Sequence, residues 1–164
     1  MMNKRLTILG LVLAAMSCCL PVDAQQPTAP NHSYSGKGNP ILPDFHADPE
    51  ILYSNKTHKY YIYSTTDGTP GWGGWQYYCY SSKNLKKWKN EGVVLDAKSN
   101  QIAWANGNLW APAAIEVKQK DGSYKYFLYY SANPIEKGGK QIGVAVSDSP
   151  VGPFVDFGKP IVSK

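Results

Sequence analysis

The chain has 164 residues, with 17 Lys and Arg against 12 Asp and Glu and a formal net charge of +5 at neutral pH. Aromatic residues make up 13% of it, including 12 Tyr and 5 Trp, while Gly and Pro contribute 15 and 12 residues. So many large aromatic side chains need burial, which excludes a disordered charged tail. Abundant turn formers argue against a helical bundle or coiled coil and favour a compact, turn-rich β domain.

The first residues have the pattern of an export signal. Two basic residues precede an apolar run over 6–20, and small residues at suitable spacing end at Ala24. This pattern predicts a signal peptide over 1–24, because about 15 apolar residues are too few for a membrane span of about 20. We expect a secreted or periplasmic protein with no membrane contact beyond this signal. A lipid-anchored form through Cys18 or Cys19 is less favoured, because the preceding residues match a lipoprotein cleavage site poorly.

The mature chain lacks the usual signs of a nucleic-acid partner. The only Arg of the sequence, Arg5, lies in the predicted signal, so the mature chain has none. Arg is the side chain that most commonly reads bases in nucleic acids. The one lysine cluster, over 83–89, is explained by a solvated turn. Cys79 is the only cysteine after the signal, so we expect a buried structural thiol and no internal disulfide. Residues 25–40 are rich in Pro, Gly, Ser and Asn and predict a flexible leader.

The remainder, 41–164, predicts short strands and turns, and its second half repeats its first. The Tyr-rich run at 59–63 recurs at 125–129, an offset of 66 residues, and Trp88 recurs as Phe154 at the same offset. A repeat of this length with four strands is typical of a β-propeller blade, and paired hairpins in a β-sandwich are the alternative. We predict an all-β fold of about two four-stranded blades, the first near 41–100 and the second near 101–164.

The segment over 39–50 is the most informative, with three carboxylates, a His and three prolines just before the first predicted strand. At offset 66 Asp48 has Ala114 as its counterpart, whereas Glu50 has Glu116. A position that holds Asp once and Ala once indicates a site more than a structural need. Pro49 is expected to restrict Asp48 to extended backbone, so that the carboxylate would point into the axial pocket of a propeller. An Asp-Pro turn starter is the alternative.

Five short motifs in order resemble glycoside hydrolase family 43. They are Asn39-Pro40-Ile41 with Phe45-His46-Ala47-Asp48-Pro49, the strand Lys59-Tyr60-Tyr61-Ile62-Tyr63-Ser64, the turn Ser82-Lys83-Asn84-Leu85-Lys86-Lys87-Trp88, the run Leu109-Trp110-Ala111-Pro112, and Ser147-Asp148-Ser149-Pro150-Val151-Gly152-Pro153-Phe154. The likeness covers about residues 39–162. It implies a five-bladed propeller, of which 41–164 is a partial catalytic domain. It also implies hydrolysis, with inversion, of arabinose-, xylose- or galactose-containing plant-type polysaccharides. Two blades of five would leave an apolar sheet face without its neighbour.

The resemblance also implies three acidic residues: a general-base Asp, a second Asp that adjusts a pKa, and a general-acid Glu. Asp48 matches the general base by its position in the motif. The other two belong to later blades in the family, beyond Lys164, and Glu116 is assigned to its strand instead. We therefore expect this chain to hold the general-base half of the site, with very little hydrolysis by itself. The alternatives are a non-catalytic carbohydrate-binding protein and an inactive truncated fragment.

Seven side chains are candidates for contact with an oligo- or polysaccharide: Asp48's neighbours Phe45 and His46, together with Trp72, Trp75, Trp104, Asn108 and Trp110. Indole faces stack on sugar C–H faces, and Asn bonds hydroxyls. Trp110 is favoured for the pocket, and Trp72, Trp75 and Trp104 are divided evenly between pocket and core.

Two residues near these candidates have a structural interpretation. We expect Trp88 in the core because Phe154 repeats it. Side chains two residues apart in a β-strand lie on the same face, so His46 would share a strand face with Asp48. A structural hydrogen bond of His46 fits equally well.

The sequence predicts no required cofactor. No cluster of residues has metal-ligand spacing, and the axial calcium that some family members carry would take its ligands from later blades. We expect a monomer when the propeller is complete.

Overall fold

The computed structural model describes residues 40–43, 45–66, 74–99 and 101–163. The predicted signal peptide over 1–24 lies outside these residues, as does the predicted leader apart from Pro40. No helix long and apolar enough to span a membrane occurs in the described ranges. The signal peptide, the leader and the two blade boundaries stay predictions.

The described chain forms two four-stranded antiparallel sheets, in the orders β1-β2-β3-β4 and β5-β6-β7-β8. The strands are β1 Glu50–Ser54, β2 Lys59–Thr65, β3 Gln76–Ser82, β4 Lys89–Asp96, β5 Trp110–Lys118, β6 Tyr124–Ala132, β7 Gln141–Ser147 and β8 Val155–Asp156. Each strand follows its predecessor across a short connection, which gives two meanders of four. The all-β prediction and the four-stranded repeat unit are confirmed.

The main core lies between the two sheets. Alternating residues of β6, among them Tyr126, Leu128 and Tyr130, are buried at 1% exposure or less. They pack in one cluster with Tyr63 and Tyr77 of the first sheet. The alternation places one face of each strand toward the neighbouring sheet, as a half-buried strand requires. The Tyr-rich strands therefore supply the large apolar area that joins the sheets.

Hydrogen bonds across this core satisfy several of its buried polar groups. The Tyr63 hydroxyl donates to the carbonyl of Pro150 at 2.5 Å, and the Leu109 amide donates to the carbonyl of Gly74 at 2.9 Å. The Phe154 amide donates to the carbonyl of Val94 at 3.3 Å. Such bonds need a fixed orientation of both sheets, because a buried donor without its acceptor is costly.

Glu116 also joins the sheets, from near the C-terminal end of β5. Its carboxylate accepts bonds from the Asn55 amide at 2.8 Å and from the Ser54 hydroxyl. The Ser54 oxygen in turn lies 2.9 Å from the Tyr126 hydroxyl. Glu116 therefore caps the β1–β2 turn of the first sheet, which agrees with its assignment to the strand and not to catalysis.

The strand registers correct the predicted repeat. Tyr53 pairs with Tyr60 in the first sheet, and Glu116 pairs with Tyr126 in the second. The second strands keep the offset of 66 residues, but the first strands are offset by 63, because the β5–β6 hairpin is three residues longer. The counterpart of Asp48 is therefore Ala111, and the predicted match to Ala114 is wrong. The predicted match of Glu50 to Glu116 is wrong for the same reason. Glu50 pairs with Tyr63, and the residue that pairs with the equivalent Tyr129 in the second sheet is Ala113.

Two expectations about the core are confirmed. Trp88 and Phe154 are 4% and 3% exposed, so the repeated aromatic position is structural. Cys79 is fully buried, and burial raises the pKa of its thiol well above the usual value, so the thiolate needed for nucleophilic chemistry is disfavoured. On the outward side of β5, Ile115 and Val117 are exposed, so no other strand of the described residues covers this apolar face.

Candidate functional site

The candidate site lies at the end of the two sheets where β1 and β5 begin. Because the strands are antiparallel, β2 and β6 end here and β3 and β7 begin here. This end gathers Asp48, Trp75 and Trp110, which stand at or next to three of these strand starts. Residues far apart in sequence are thus brought to one edge by the meander alone.

Asp48 is exposed and has a left-handed backbone, with φ of 46°. The predicted extended geometry is wrong: Pro49 disfavours the right-handed helical region for the residue before it, and Asp is among the few residues that tolerate the left-handed region instead. Asn108 and Ala111, at the start of the second sheet, share this conformation with φ of 51° and 47°. Left-handed residues other than Gly are uncommon and cluster at functional sites.

The segment before Asp48 is anchored to the first sheet. The Ala47 carbonyl accepts bonds from the Thr65 amide at 3.2 Å and the Thr65 hydroxyl at 2.9 Å. His46 Nδ1 lies 2.9 Å from the Ser64 hydroxyl, and its Nε2 lies 3.3 Å from the Tyr80 hydroxyl. The structural hydrogen bond predicted for His46 is therefore observed. His46 does not share a strand with Asp48, because β1 begins only at Glu50.

Tyr77 connects Asp48 with Trp110. Burial raises the pKa of the Tyr77 hydroxyl well above its usual value, and the negative charge of Asp48 raises it further. The hydroxyl therefore stays protonated and donates to the main-chain carbonyl of Trp110 at 2.9 Å. The Tyr77 hydroxyl thus feels the charge of Asp48 and holds the main chain of Trp110. Nothing in the Tyr-rich sequence distinguished Tyr77 from its neighbours.

Trp110 is 37% exposed, and Lys140 lies against it. The Lys140 ammonium is 4.1 Å from the ring centroid and donates to the Asn108 carbonyl at 2.8 Å. Partial burial lowers the pKa of Lys140. Sequence reasoning missed Lys140. The available signal was its position: β3 begins at Gln76 and β7 at Gln141, so Lys140 occupies in the second sheet the position that Trp75 occupies in the first.

The remaining predicted sugar contacts divide into two groups. Trp75 and Trp104 are half-buried and pack against the main core, Trp104 stacking on Tyr130 with ring centroids 5.9 Å apart. Trp104 also lines a groove of ≈620 Å³ with Ile135 and Gln141. Phe45 is 72% exposed beside Asp48 in sequence, and Trp72 lies outside the described residues.

The described residues contain no group of three or more His, Cys, Asp or Glu side chains that could hold a metal ion. The carboxylates nearest the site are spread along the edge, and Asp96 is occupied by the Gln76 amide at 2.6 Å. The donor set of this part of the chain therefore does not fit a cation.

The two meanders pack face to face in chain order, with a site where their first strands begin. This arrangement defines consecutive blades of a β-propeller. The family model described as Glycosyl hydrolases family 43 matches residues 37–164. The chain belongs to this family.

Similar proteins agree with this assignment. An arabinoxylan arabinofuranohydrolase of Bacillus subtilis (strain 168) is 33% identical over 96% of this chain and 33% of its own length. A xylosidase/arabinosidase of Bacteroides ovatus is 34% identical over 72% of this chain and 37% of its own length.

Solved structures give the same result. The β-xylosidase/α-arabinofuranosidase CoXyl43 from a compost microbial metagenome, in complex with xylotriose and in a calcium-free form, is 35% identical with a TM-score of 0.65, over 79% of this chain and 40% of its own. A GH43_1 enzyme of Xanthomonas citri with bound xylose is 30% identical with a TM-score of 0.62, over 80% and 36%. The chain thus spans about one third to two fifths of the length of these relatives.

Proposed function

We propose that this chain supplies the general base of a glycoside hydrolase that acts on arabinose-, xylose- or galactose-containing plant-type polysaccharides with inversion. The observation that carries the proposal is Asp48: an exposed carboxylate in left-handed backbone at the start of β1, whose counterpart in the next blade is Ala111. The fold forms the same turn without a carboxylate, so the acidic group serves something other than the turn.

The names of the relatives support the substrate class. They are an arabinoxylan arabinofuranohydrolase, a xylosidase/arabinosidase and, in Aspergillus niger, a β-D-galactofuranosidase. The xylose and xylotriose complexes of the similar structures add pentose ligands. Aromatic and amide groups at the edge of the present site suit the same chemistry, because sugars offer apolar C–H faces and many hydroxyls.

In the proposed reaction, Asp48 removes a proton from a water molecule as that water attacks the anomeric carbon. A second carboxyl group, typically about 6.5–9.5 Å away, protonates the departing oxygen from the other side. Trp110 offers an indole surface for a sugar ring, and Asn108 offers an amide for its hydroxyls. We assign no residue of this chain to the general acid, because both Glu116 oxygens are held by the β1–β2 turn. The reaction needs no cofactor.

The decisive experiment is Asp48→Asn. Asn tolerates left-handed backbone as Asp does, so the turn is preserved while the base is removed. In a protein that contains this chain together with the general acid, we expect hydrolysis of arabinoxylan to fall by about 10²–10⁴-fold, the usual contribution of a general base. Binding of xylotriose should stay within about threefold. Glu50→Gln, two residues away, is the matched control and should keep both properties. Equal hydrolysis by the wild type and Asp48→Asn would contradict the proposal.

A second candidate function is carbohydrate binding without hydrolysis. It is favoured by Trp110, whose ring is 37% exposed at the start of β5 with the Lys140 ammonium 4.1 Å from its centroid. Under this alternative the full chain would bind xylotriose, cleave neither arabinoxylan nor arabinan, and bind equally well as Asp48→Asn. The loss of binding in Trp110→Ala would then identify the platform.

We further propose that the protein is exported, secreted or periplasmic, and acts as a monomer on glycans with no nucleic-acid or membrane partner. The basic and apolar run at 1–24 supports export. Mass spectrometry of the N-terminus of the exported protein would test this proposal. A mature chain beginning at Gln25 is expected, and a chain retaining residues 1–24 would contradict it.

A further inference from the structure

We propose that a cavity at the end of the first sheet opposite to Asp48 binds an oxyanion, of the kind that an acidic sugar or inorganic phosphate carries. This cavity, the lysine cavity, is lined by Lys59, Lys83, Lys87 and Lys89 together with Asn84 and Trp88. Its volume of ≈330 Å³ lies at the lower end of the usual range for small-molecule sites. The inference goes beyond the proposed function and uses none of the residues of the Asp48 site.

The lysine cavity lies where β2 begins and where the turn from β3 to β4 closes. Lys59 is the first residue of β2, and Lys89 is the first residue of β4. Asp48 lies at the other end, next to Thr65, where β2 ends. The strand between them spans about 20 Å at the usual rise per residue. A small ligand in the lysine cavity therefore does not reach Asp48.

The lysine cavity keeps an excess of positive charge. Its four ammonium groups are near one carboxylate, that of Glu91. Lys89 forms a salt bridge with Glu91 at 2.5 Å, and Lys59 attracts the same carboxylate. Lys83 and Lys87 form no salt bridge within the described ranges. Like charges around one cavity repel one another, and a bound anion relieves that repulsion.

The β3–β4 turn is held in shape without a ligand. The Ser82 side-chain oxygen accepts bonds from the main-chain amides of Asn84 at 3.2 Å and Leu85 at 2.9 Å. The Asn84 side-chain oxygen accepts bonds from the main-chain amides of Lys86 and Lys87 at 3.0 Å each. A turn fixed in this way loses little conformational freedom when a ligand arrives, which favours binding.

The same bonds decide which chemistry the lysine cavity can recognise. They occupy the side-chain oxygens of Ser82 and Asn84, so the groups left for a ligand are chiefly donors: ammonium groups and the Asn84 amide N–H groups. A neutral sugar offers hydroxyls, which need acceptors as well as donors. An oxyanion offers only acceptors, so it matches this set better.

Trp88 adds an independent observation. It lines the lysine cavity and is 4% exposed, yet its indole nitrogen has no hydrogen-bond partner among the described residues. Buried donors normally have a partner. A solvated turn would explain exposed lysines, but it requires neither this donor without an acceptor nor the approach of Lys59 from another strand.

The first test observes the Trp88 indole directly by nuclear magnetic resonance. The full chain is labelled with ¹⁵N, and the Trp88 indole resonance is identified from its loss in Trp88→Phe, a substitution that the equivalent Phe154 makes compatible with the core. The probes are sodium D-glucuronate, inorganic phosphate and D-xylose, which lacks the carboxylate of glucuronate. We expect a saturable shift of this resonance with the two anions and none with xylose. No shift with either anion would overturn the proposal.

The two anions also distinguish the two sources of the ligand. Tighter binding of glucuronate assigns the lysine cavity to an acidic glycan, and tighter binding of phosphate assigns it to the free ion. Either result supports an oxyanion site. A shift with xylose as large as that with glucuronate would overturn the proposal, because the carboxylate would then contribute nothing.

The second test removes charge from the turn. We expect Lys83→Gln and Lys87→Gln each to weaken glucuronate binding about threefold, and the double variant about tenfold, as for exposed ion pairs. An increase from about 0.01 M to about 0.15 M salt should weaken binding by the wild type, because salt screens exposed charges. The control is the double variant Lys118→Gln and Lys120→Gln, which removes the same charge at the β5–β6 hairpin of the second sheet.

The control variant should bind glucuronate within twofold of the wild type. Equal binding by the two double variants would overturn the proposal, since net charge and not the cavity would then attract the anion. Asp48→Asn should also bind glucuronate like the wild type, so this measurement is independent of the proposed general base. Circular dichroism of all variants should match the wild type, which separates a loss of binding from a loss of fold.

Discussion

Asp48 and Ala111 occupy the same position in consecutive blades, each with left-handed backbone and each immediately before a proline, with φ of 46° and 47°. The bonds beside them repeat as well: the Thr65 hydroxyl donates to the Ala47 carbonyl, and the Ser131 hydroxyl donates to the Trp110 carbonyl. The fold thus fixes the turn twice with different side chains. What the first blade adds is the carboxylate.

The first prediction concerns the strain in this turn. Left-handed backbone costs a residue such as Ala about 1–2 kcal/mol, while Gly loses about 0.5–1 kcal/mol through the entropy of the unfolded chain. Ala111→Gly should therefore stabilise the protein by about 0.5 kcal/mol. Asp48→Gly should gain less, because Asp tolerates this region better. Urea unfolding measures both changes.

A control for the first prediction is Ala113→Gly, in the regular part of β5, where the same substitution should destabilise by about 0.5–1 kcal/mol. If Ala111→Gly and Ala113→Gly lost the same stability, the left-handed conformation of Ala111 would be refuted.

The second prediction concerns the carboxylate that joins the sheets. Partial burial alone would raise the pKa of Glu116, but bonds from Ser54, Tyr126 and Asn55 outweigh it, so the pKa lies below its usual value. A depressed carboxyl pKa stabilises the fold above the pKa of the unfolded chain, near 4.3, and this stability is lost as the pH falls through the folded value. Glu116→Gln should cost about 1–2 kcal/mol at neutral pH, the scale of bonds to a charged group, and should flatten the acid side of the stability profile.

Unfolding in urea between pH 3 and pH 7 measures this effect. Glu136→Gln, at an exposed position of the β6–β7 loop, is the control and should keep the wild-type profile. An acid profile that is the same for Glu116→Gln and the wild type would refute the role given to this carboxylate.

The repeat could be predicted because its signal is large. Tyr-rich strands and the Trp88–Phe154 pair are core positions, and the same burial requirement recurs in each blade. The register of the first strands could not be predicted. Glu50 and Glu116 are both Glu and are 66 residues apart, which suggested that the first strands repeat at the same offset as the second strands. A three-residue difference in hairpin length is invisible to composition and moves the counterpart of Asp48 from Ala114 to Ala111.

The sequence offers site candidates where a residue stands in a motif, and it offers none where a contact depends on the approach of residues that are distant in sequence. Asp48 and Trp110 lie in motifs, whereas Lys140 is one lysine among many until the structure places it over an indole. The left-handed backbone of Asp48 also escaped prediction, because a following proline rules out one backbone region and does not choose between the others.

The third prediction concerns alkaline pH. Burial raises the pKa of Tyr63 and Tyr77 well above the usual value near 10. A raised folded pKa gives stability that is complete below the unfolded value and is lost as the pH rises toward the folded one. The free energy of unfolding should therefore fall above about pH 10, by up to ~1.4 kcal/mol per pH unit for each such Tyr. Tyr77→Phe removes one of these titrating hydroxyls, so the fall in the free energy of unfolding with pH should become less steep by the contribution of one Tyr.

Urea unfolding between pH 8 and pH 11 measures the slope. Tyr53→Phe is the matched control, because Tyr53 is 44% exposed and should leave the slope unchanged. If both Phe variants kept the wild-type slope, Tyr77 would not be the buried, protonated donor that holds the Trp110 carbonyl.

The last prediction concerns the packing of Gly143, in β7, against the stacked rings of Tyr130 and Trp104. A Cβ on Gly143 would lie 2.5 Å from Tyr130 Cζ and 2.6 Å from Trp104 Cζ2, so Gly143→Ala must push apart the stacked pair. Overpacking of this kind costs about 1–3 kcal/mol, and we expect the upper part of the range because both neighbours are large rings. The emission of Trp104 should also move toward that of a solvated indole.

Gly139→Ala, in the loop just before β7, is the control. The added Cβ meets nothing within 4 Å, so this variant should stay within about 0.5 kcal/mol of the wild type. Thermal and urea unfolding of the two variants side by side measure the difference, and a Gly143→Ala variant as stable as Gly139→Ala would show that Trp104 does not stack on Tyr130 in solution.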